Sequence, residues 1–136
     1  MANDFNKGIS EYTEKKFRFQ CLNDNIPTML AVANDIGYDD VFSFQLKNKV
    51  KEKDLVIGII GSGYSENVIR ALDCAKEQGA ITMGIVGYHG GKVADIADIV
   101  FHVPLCNMQI VEDVHMILNH MVMSVVMQHW NIEKKA

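Results

Sequence analysis

From Leu55 to Leu72 the chain reads LVIGIIGSGYSENVIRAL. A continuous apolar run ends in Gly61, Ser62, Gly63, Tyr64 and Ser65, and a helical pattern follows at once. Such a turn suits an anion. The first N–H groups of a helix have no partner within the helix and carry partial positive charge. An anion set against them collects hydrogen bonds without a lysine. Gly61 and Gly63 let the backbone turn and approach a ligand closely. Ser62 and Ser65 add hydroxyl donors, and Ser65 is also a good N-cap. Tyr64 stands where a ligand would sit, either to stack on it or to fill its space. A tight capped turn with no ligand uses the same residues. Without Gly-Lys-Ser/Thr the loop is not a Walker loop, and without a third glycine it is not a dinucleotide fingerprint.

A second turn, Gly87 to Asp98 (GYHGGKVADIAD), also follows a strand pattern and opens a helix, with Gly90 and Gly91 supplying the bend. Further along, Glu112, His115 and Asn119 fall on one helical face at i, i+3 and i+7. Val114, Ile117, Leu118, Met121 and Val125 cover the opposite side, and His120 lies between the two. A histidine there could serve acid–base chemistry or pack at a subunit interface. The three cysteines, Cys21, Cys74 and Cys106, are far apart and odd in number. They read as reduced, mostly buried thiols of a cytoplasmic protein. Their spacing to histidines matches no zinc-finger pattern.

The elements that must position these residues follow from periodicity. Met1 to Lys15 is polar and reads as a loop or frayed start. Phe17 to Leu22 (FRFQCL) alternates and predicts a strand. Pro27 opens a short helix, PTMLAVAND, since its missing N–H costs nothing in a first turn. Asp39 or Asp40 caps the next helix, with Val41, Phe44 and Leu46 on its apolar face. Asp54 to Ile60 suits a parallel strand buried on both faces. Ser65 to Gln78 predicts the clearest helix, ended by Gly79. Ala80 to Val86 and Ile99 to Val103 are strand-like, Gly91 to Ala97 is a short helix, and Met108 to Gln128 a long one. Strands alternating with helices predict an open α/β sheet of parallel strands. No repeat or linker divides the 136 residues, so one domain over 1–136 is expected.

Composition narrows the function classes. The net charge of −4 offers no basic stripe for nucleic acid. Lys47, Lys49, Lys51 and Lys53 read as a solvated helix end. No run of 18 apolar residues suggests a membrane span. The long last helix is apolar around much of its circumference, which favours an oligomer that covers it.

Taken together, GSGYSENVIRALDCAKEQGAITMGIVGYHGGKVADIADIVFHVP and MQIVEDVHMILNH resemble the sugar isomerase (SIS) domain, and most of all the phosphoheptose isomerases. That family carries a serine-rich S-x-S-G-N-S loop and a T-G-x-x-G-G-K turn. Its last helix carries a Gln/Glu-Glu/Asp-x-His segment with a second histidine five residues on. The resemblance runs from about Asp4 to Gln128. It implies an open doubly wound, SIS-type (flavodoxin-like) parallel sheet, a cytoplasmic homotetramer, and a site shared between subunits. It implies isomerisation of sedoheptulose 7-phosphate to D-glycero-D-manno-heptose 7-phosphate through an enediol, an early step toward lipopolysaccharide or capsule heptose. In the resemblance, the catalytic histidine is His120 and the catalytic carboxylate Asp4. Ser62, Gly63 and Ser65 hold the substrate phosphate, and Asn34, Asp35 and Glu112 contact the substrate. Some relatives bind zinc, and that ligand set falls on Asp4, Glu112 and His120.

The chain departs from the family pattern in three places. The N-terminal helices, first strand and G-N-G-G-S loop that precede the segment matched by Ala2 to Phe5 are not in it, so the fold is expected to be truncated at its N-terminus. Unpaired backbone groups and exposed apolar surface are expected in consequence. The phosphate loop reads Ile60-Gly61-Ser62-Gly63-Tyr64-Ser65, with isoleucine for one hydroxyl and Tyr64 for a small amide. Val86 and His89 replace the usual Thr and Asp of the second turn. Besides an isomerase, the sequence therefore admits a non-catalytic phosphosugar-binding module or an inactive structural remnant.

Overall fold

The structure is a computed structural model that describes residues 1–47 and 49–132. These residues form two compact units. One comprises 1–24 and 113–132, the other 25–112.

In the second unit, three parallel strands, β1 (Leu55–Ile60), β2 (Ile81–Val86) and β3 (Ile99–His102), pair in the order β1-β2-β3. Leu55 faces Ile81, and Met83 faces Ile99. Helix α1 (Ile26–Asp35) begins with Pro27 in its first turn and is capped by Asn25, whose side chain accepts the Thr28 N–H. A 3-10 turn (Tyr38–Asp40) and the short helix α2 (Ser43–Leu46) precede β1. Helices α3 (Glu66–Glu77) and α4 (Gly91–Ile96) link the strands. Gly79 closes the exit of α3 at φ +77°, as its position predicts. The even-numbered strand positions face these helices. Ile60, Ile69, Leu72, Val86 and Val93 form the core, with Val56, Val68, Ala94 and Ile96 against it. Side chains are missing at Gly58 and Gly84 because Val68 and Val93 press against those two Cα atoms.

The other sheet face departs from the expectation of strands buried on both sides. Leu55, Ile59, Ile81 and Ile99 are exposed apolar side chains. β1 is an edge of the described sheet. The second-helix expectation also needs correction. Neither Asp39 nor Asp40 caps α2; Asp40 instead accepts from the Ser43 hydroxyl at 3.0 Å and from Arg70 at 2.7 Å. Val41 and Leu46 are buried, whereas Phe44 is exposed. The four lysines from Lys47 to Lys53 are exposed, as predicted.

Asp98 links β2 to the entry of β3. Its carboxylate accepts the Thr82 backbone N–H and hydroxyl, each at 2.8 Å, and pairs with Lys76 at 3.1 Å. The Thr82 N–H, then its hydroxyl, then Lys76 lower the Asp98 pKa to about 2. A carboxyl depressed in the folded state stabilises it fully above its unfolded value, near 4, and loses that contribution as pH falls toward 2. Asp98→Asn is therefore expected to flatten the fall in Tm between pH 5 and pH 2. An acid limb as steep as that of the parent would count against this assignment.

In the first unit the N-terminal segment is not a frayed loop. Asp4–Ile9 forms a π-helical turn and Ser10–Tyr12 a 3-10 turn, with Phe5 and Ile9 buried. Phe17 to Leu22 is not a strand either. The Phe19 N–H and carbonyl are both taken by the Asn6 side chain at 2.8 Å, and the Phe17 N–H by the Ser10 hydroxyl at 2.9 Å. Phe17 and Phe19 join Phe5 in an aromatic cluster, and Trp130 stacks on Phe17. Helix α5 (Met108–His129) has the length expected. Although it holds no unbroken run of 18 apolar residues, its 22 residues are long and apolar enough to cross a membrane by length and composition alone. Its His115, Leu118, Asn119 and Met127 are nevertheless buried within protein.

Candidate functional site

The glycine turns occupy the carboxyl ends of the strands, where ligands of open α/β sheets bind. Gly61–Ser65 leaves β1 and enters α3, and Gly87–Gly91 leaves β2 and enters α4. The two turns are locked together through backbone. The Gly87 N–H donates to the Gly61 carbonyl at 2.9 Å, and the Val93 N–H to the Gly63 carbonyl at 3.1 Å. Gly63 lies at φ +74°, and a Cβ there would stand 1.9 Å from the Gly90 carbonyl oxygen. A Cβ on Gly91 would meet Gly63 and the Ser62 carbonyl at 2.6–2.7 Å. These glycines are thus required by the fit of one turn into the other, a constraint that spacing alone does not reveal.

Ser65 occupies the N-cap position of α3, yet its side chain makes no capping bond. That corrects the capping expectation and leaves the hydroxyl exposed, next to the helix N-terminus. The Ser62 hydroxyl accepts the Tyr64 N–H at 3.3 Å and is exposed as well. Ser62 and Ser65 are thus donors on the outer side of a turn whose inner side, Gly63, is buried. Tyr64 projects into solvent, 68% exposed, and so does not fill the turn.

Of the remaining expected residues, Asn34 and Asp35 lie exposed in the last turn of α1, hydrogen-bonded to each other at 2.7 Å. Glu112 is exposed on α5. In the first unit, Asn119 holds Asp4, and His120 makes only a weak electrostatic contribution there. The Asn119 amide donates to Asp4 Oδ2 at 2.9 Å and is 2% exposed. The amino terminus bonds the same oxygen at 2.9 Å. The Asp4 carboxyl is held below the usual carboxylate range, first by the amino-terminal hydrogen bond and then by Asn119, with a smaller attraction from His120. Asp4 is therefore an ionised acceptor at neutral pH. His120 is exposed on α5.

Among the described residues no three His, Cys, Asp or Glu side chains are gathered to hold an ion.

Two features escaped sequence reasoning. Tyr88 adopts φ +47°, unusual for a bulky residue. Its N–H donates to the Leu105 carbonyl at 3.2 Å, and its carbonyl lies 3.0 Å from His102 Nε2. Cys21 and Cys106 are exposed rather than buried, and only Cys74 is enclosed.

Comparison with known proteins now decides the family. The SIS domain model matches residues 27–132. The chain belongs to the SIS domain family. It is 36% identical over 105 residues to a phosphoheptose isomerase of Aneurinibacillus thermoaerophilus, a match covering 77% of this chain and 53% of that protein. It is 38% identical over 105 residues to a probable phosphoheptose isomerase of Thermoplasma volcanium, covering 77% and 54%. This SIS chain thus spans about half the length of the curated relatives it matches. Among solved structures, a phosphoheptose isomerase from Neisseria gonorrhoeae superposes with a TM-score of 0.81 at 29% identity, covering 92% of this chain and 70% of that one. One from Francisella tularensis gives 0.86 at 22% identity, covering 93% and 68%, and bears on the fold alone. The α/β fold with parallel strands read from the sequence is thus the SIS fold.

Proposed function

We propose that this SIS chain carries the phosphosugar end of an aldose–ketose isomerase of the phosphoheptose type, acting on sedoheptulose 7-phosphate. The observation that carries the reading is the interlocked turn pair, with two exposed serine hydroxyls at the start of α3. In the proposed mode the substrate phosphate accepts from Ser62, Ser65 and the first N–H groups of α3, with Gly63 shaping the turn. Moving a proton between adjacent sugar carbons through an enediol needs a base and an acid. Asp4, ionised and oriented by Asn119, and His120 are the residues assigned to that work. Asn34, Asp35 and Glu112 are assigned to the sugar hydroxyls. Production of a heptose phosphate for cell-surface sugars, and a cytoplasmic location beside that substrate, go with this reading.

Calorimetric titration of the purified chain with sedoheptulose 7-phosphate tests it. Saturable binding that weakens about tenfold or more in Ser65→Ala is expected, the loss of a hydrogen bond to a charged group being worth about 1.5–3 kcal/mol. No heat at millimolar ligand would refute the phosphate cradle. Binding without turnover would leave the non-catalytic module.

We also infer a homo-oligomer. On α5 the side chains at Ile117, Met121 and Val125 are 62%, 52% and 58% exposed and form one i, i+4, i+8 ridge. An apolar ridge of that kind fits a second copy. Light scattering is expected to give at least a dimer at micromolar concentration; a monomer mass there would refute it.

A further inference from the structure

At the carboxyl ends of the strands, beside the turns already described, lies a pair of side chains that the isomerase reading does not use. Cys106 Sγ stands 3.9 Å from His89 Nε2. Both residues are exposed. His89 is the third residue of the Gly87–Gly91 turn. That turn is pinned by the Gly87 bond to Gly61, the Gly90 N–H to the Gly87 carbonyl at 2.9 Å, the Tyr88 N–H to Leu105, and His102 at the Tyr88 carbonyl. The Tyr88–Leu105 bond ties the turn to the segment that carries Cys106. The positive φ of Tyr88 is a costly conformation, retained where the surroundings over-determine it. The imidazole therefore rides on a fixed turn, one residue from its anchor.

We propose that Cys106 and His89 form a thiol–imidazole dyad that makes Cys106 the protein's site of attack on small electrophiles, alkyl halides and peroxides among them. The imidazole takes the thiol proton as the sulfur attacks, which is what raises the nucleophilicity of a cysteine beside a histidine. With hydrogen peroxide, an S–O bond forms and the O–O bond breaks. The sulfur is oxidised to a sulfenic acid, the peroxide is reduced, and the departing hydroxide leaves as water with the proton from the imidazolium. With iodoacetamide, an S–C bond forms, the C–I bond breaks and iodide departs. The inference does not depend on isomerase activity.

The chain supplies its own controls. Cys21 is also exposed and also has a polar neighbour 3.9 Å from its sulfur, but that neighbour is the amide oxygen of Asn23, which is no base. Cys74 is buried, with its sulfur near the Ser43 carbonyl at 3.7 Å. The two exposed thiols thus differ chiefly in the basicity of the partner.

The experiment is site-resolved labelling of the folded chain with iodoacetamide at pH 7.4, read by peptide mass spectrometry over time. Cys106 is expected to label about tenfold faster than Cys21, because only its sulfur has a base beside it to take the thiol proton. His89→Gln is expected to bring Cys106 down to the Cys21 rate while leaving Cys21 unchanged. Cys74 should stay unlabelled in both proteins and so reports that the fold is intact. Equal rates at Cys106 and Cys21 in the parent chain would overturn the proposal, as would an undiminished Cys106 rate in a folded His89→Gln variant. Should the variant label at Cys74, the ratio of Cys106 to Cys21 in the parent decides alone.

Discussion

Gly63→Ala is expected to lose at least about 3 kcal/mol of stability. Two terms add. The residue sits at φ +74°, where an alanine is strained whatever the space around it. The added methyl would also stand 1.9 Å from the Gly90 carbonyl oxygen and 2.9 Å from the Gly91 Cα. Both neighbours are backbone, so no side chain can swing aside. Gly37→Ala separates the terms. Gly37 also has a positive φ, +145°, but nothing lies within 4 Å of its Cβ position. Its alanine variant meets the backbone term alone and should lose less than Gly63→Ala, about 1–3 kcal/mol. Urea unfolding followed by circular dichroism gives both numbers. Similar midpoints for the two variants would mean that the turns do not interlock as described.

If the isomerase proposed above is right, His120→Ala lowers kcat for sedoheptulose 7-phosphate by about 10²–10⁴, the usual worth of a positioned acid or base, while Tm and phosphosugar affinity stay near those of the parent. The side chain is exposed on α5, so truncating it leaves no cavity. Asn119 is different. It is buried, bonds Asp4, and carries an Oδ1 with no donor among the described residues. Its substitution would disturb fold and site together, which makes His120 the cleaner test. A His120→Ala variant with parental turnover would remove this residue from the chemistry. A parent chain that binds but never turns over would instead show that the chain holds the phosphate subsite alone.

The sequence by itself determined the elements whose signals are local. Pro27 in the first turn of α1, Gly79 after α3 and the apolar runs of β1 and β2 fall where periodicity and stop signals put them. That the strands run parallel follows from their alternation with helices. The two glycine turns were legible as places where backbone must bend. Tertiary structure decided the rest, because the deciding partners are far away in sequence. The alternation of FRFQCL is a sound strand signal, yet its backbone groups are claimed by Asn6 and Ser10, and its phenyl rings by Phe5 and Trp130. The helical wheel of α5 put polar Glu112, His115 and Asn119 on one side and apolar residues on the other. In the fold His115 and Asn119 are inside, while Ile117 and Met121 face out. A wheel gives which residues share a face. It cannot say which face is buried when a polar residue such as Asn119 finds its partner in Asp4, 115 positions away. Spacing likewise could not show that Gly63 and Gly91 serve each other's backbone first, since only the folded chain brings the two turns within contact.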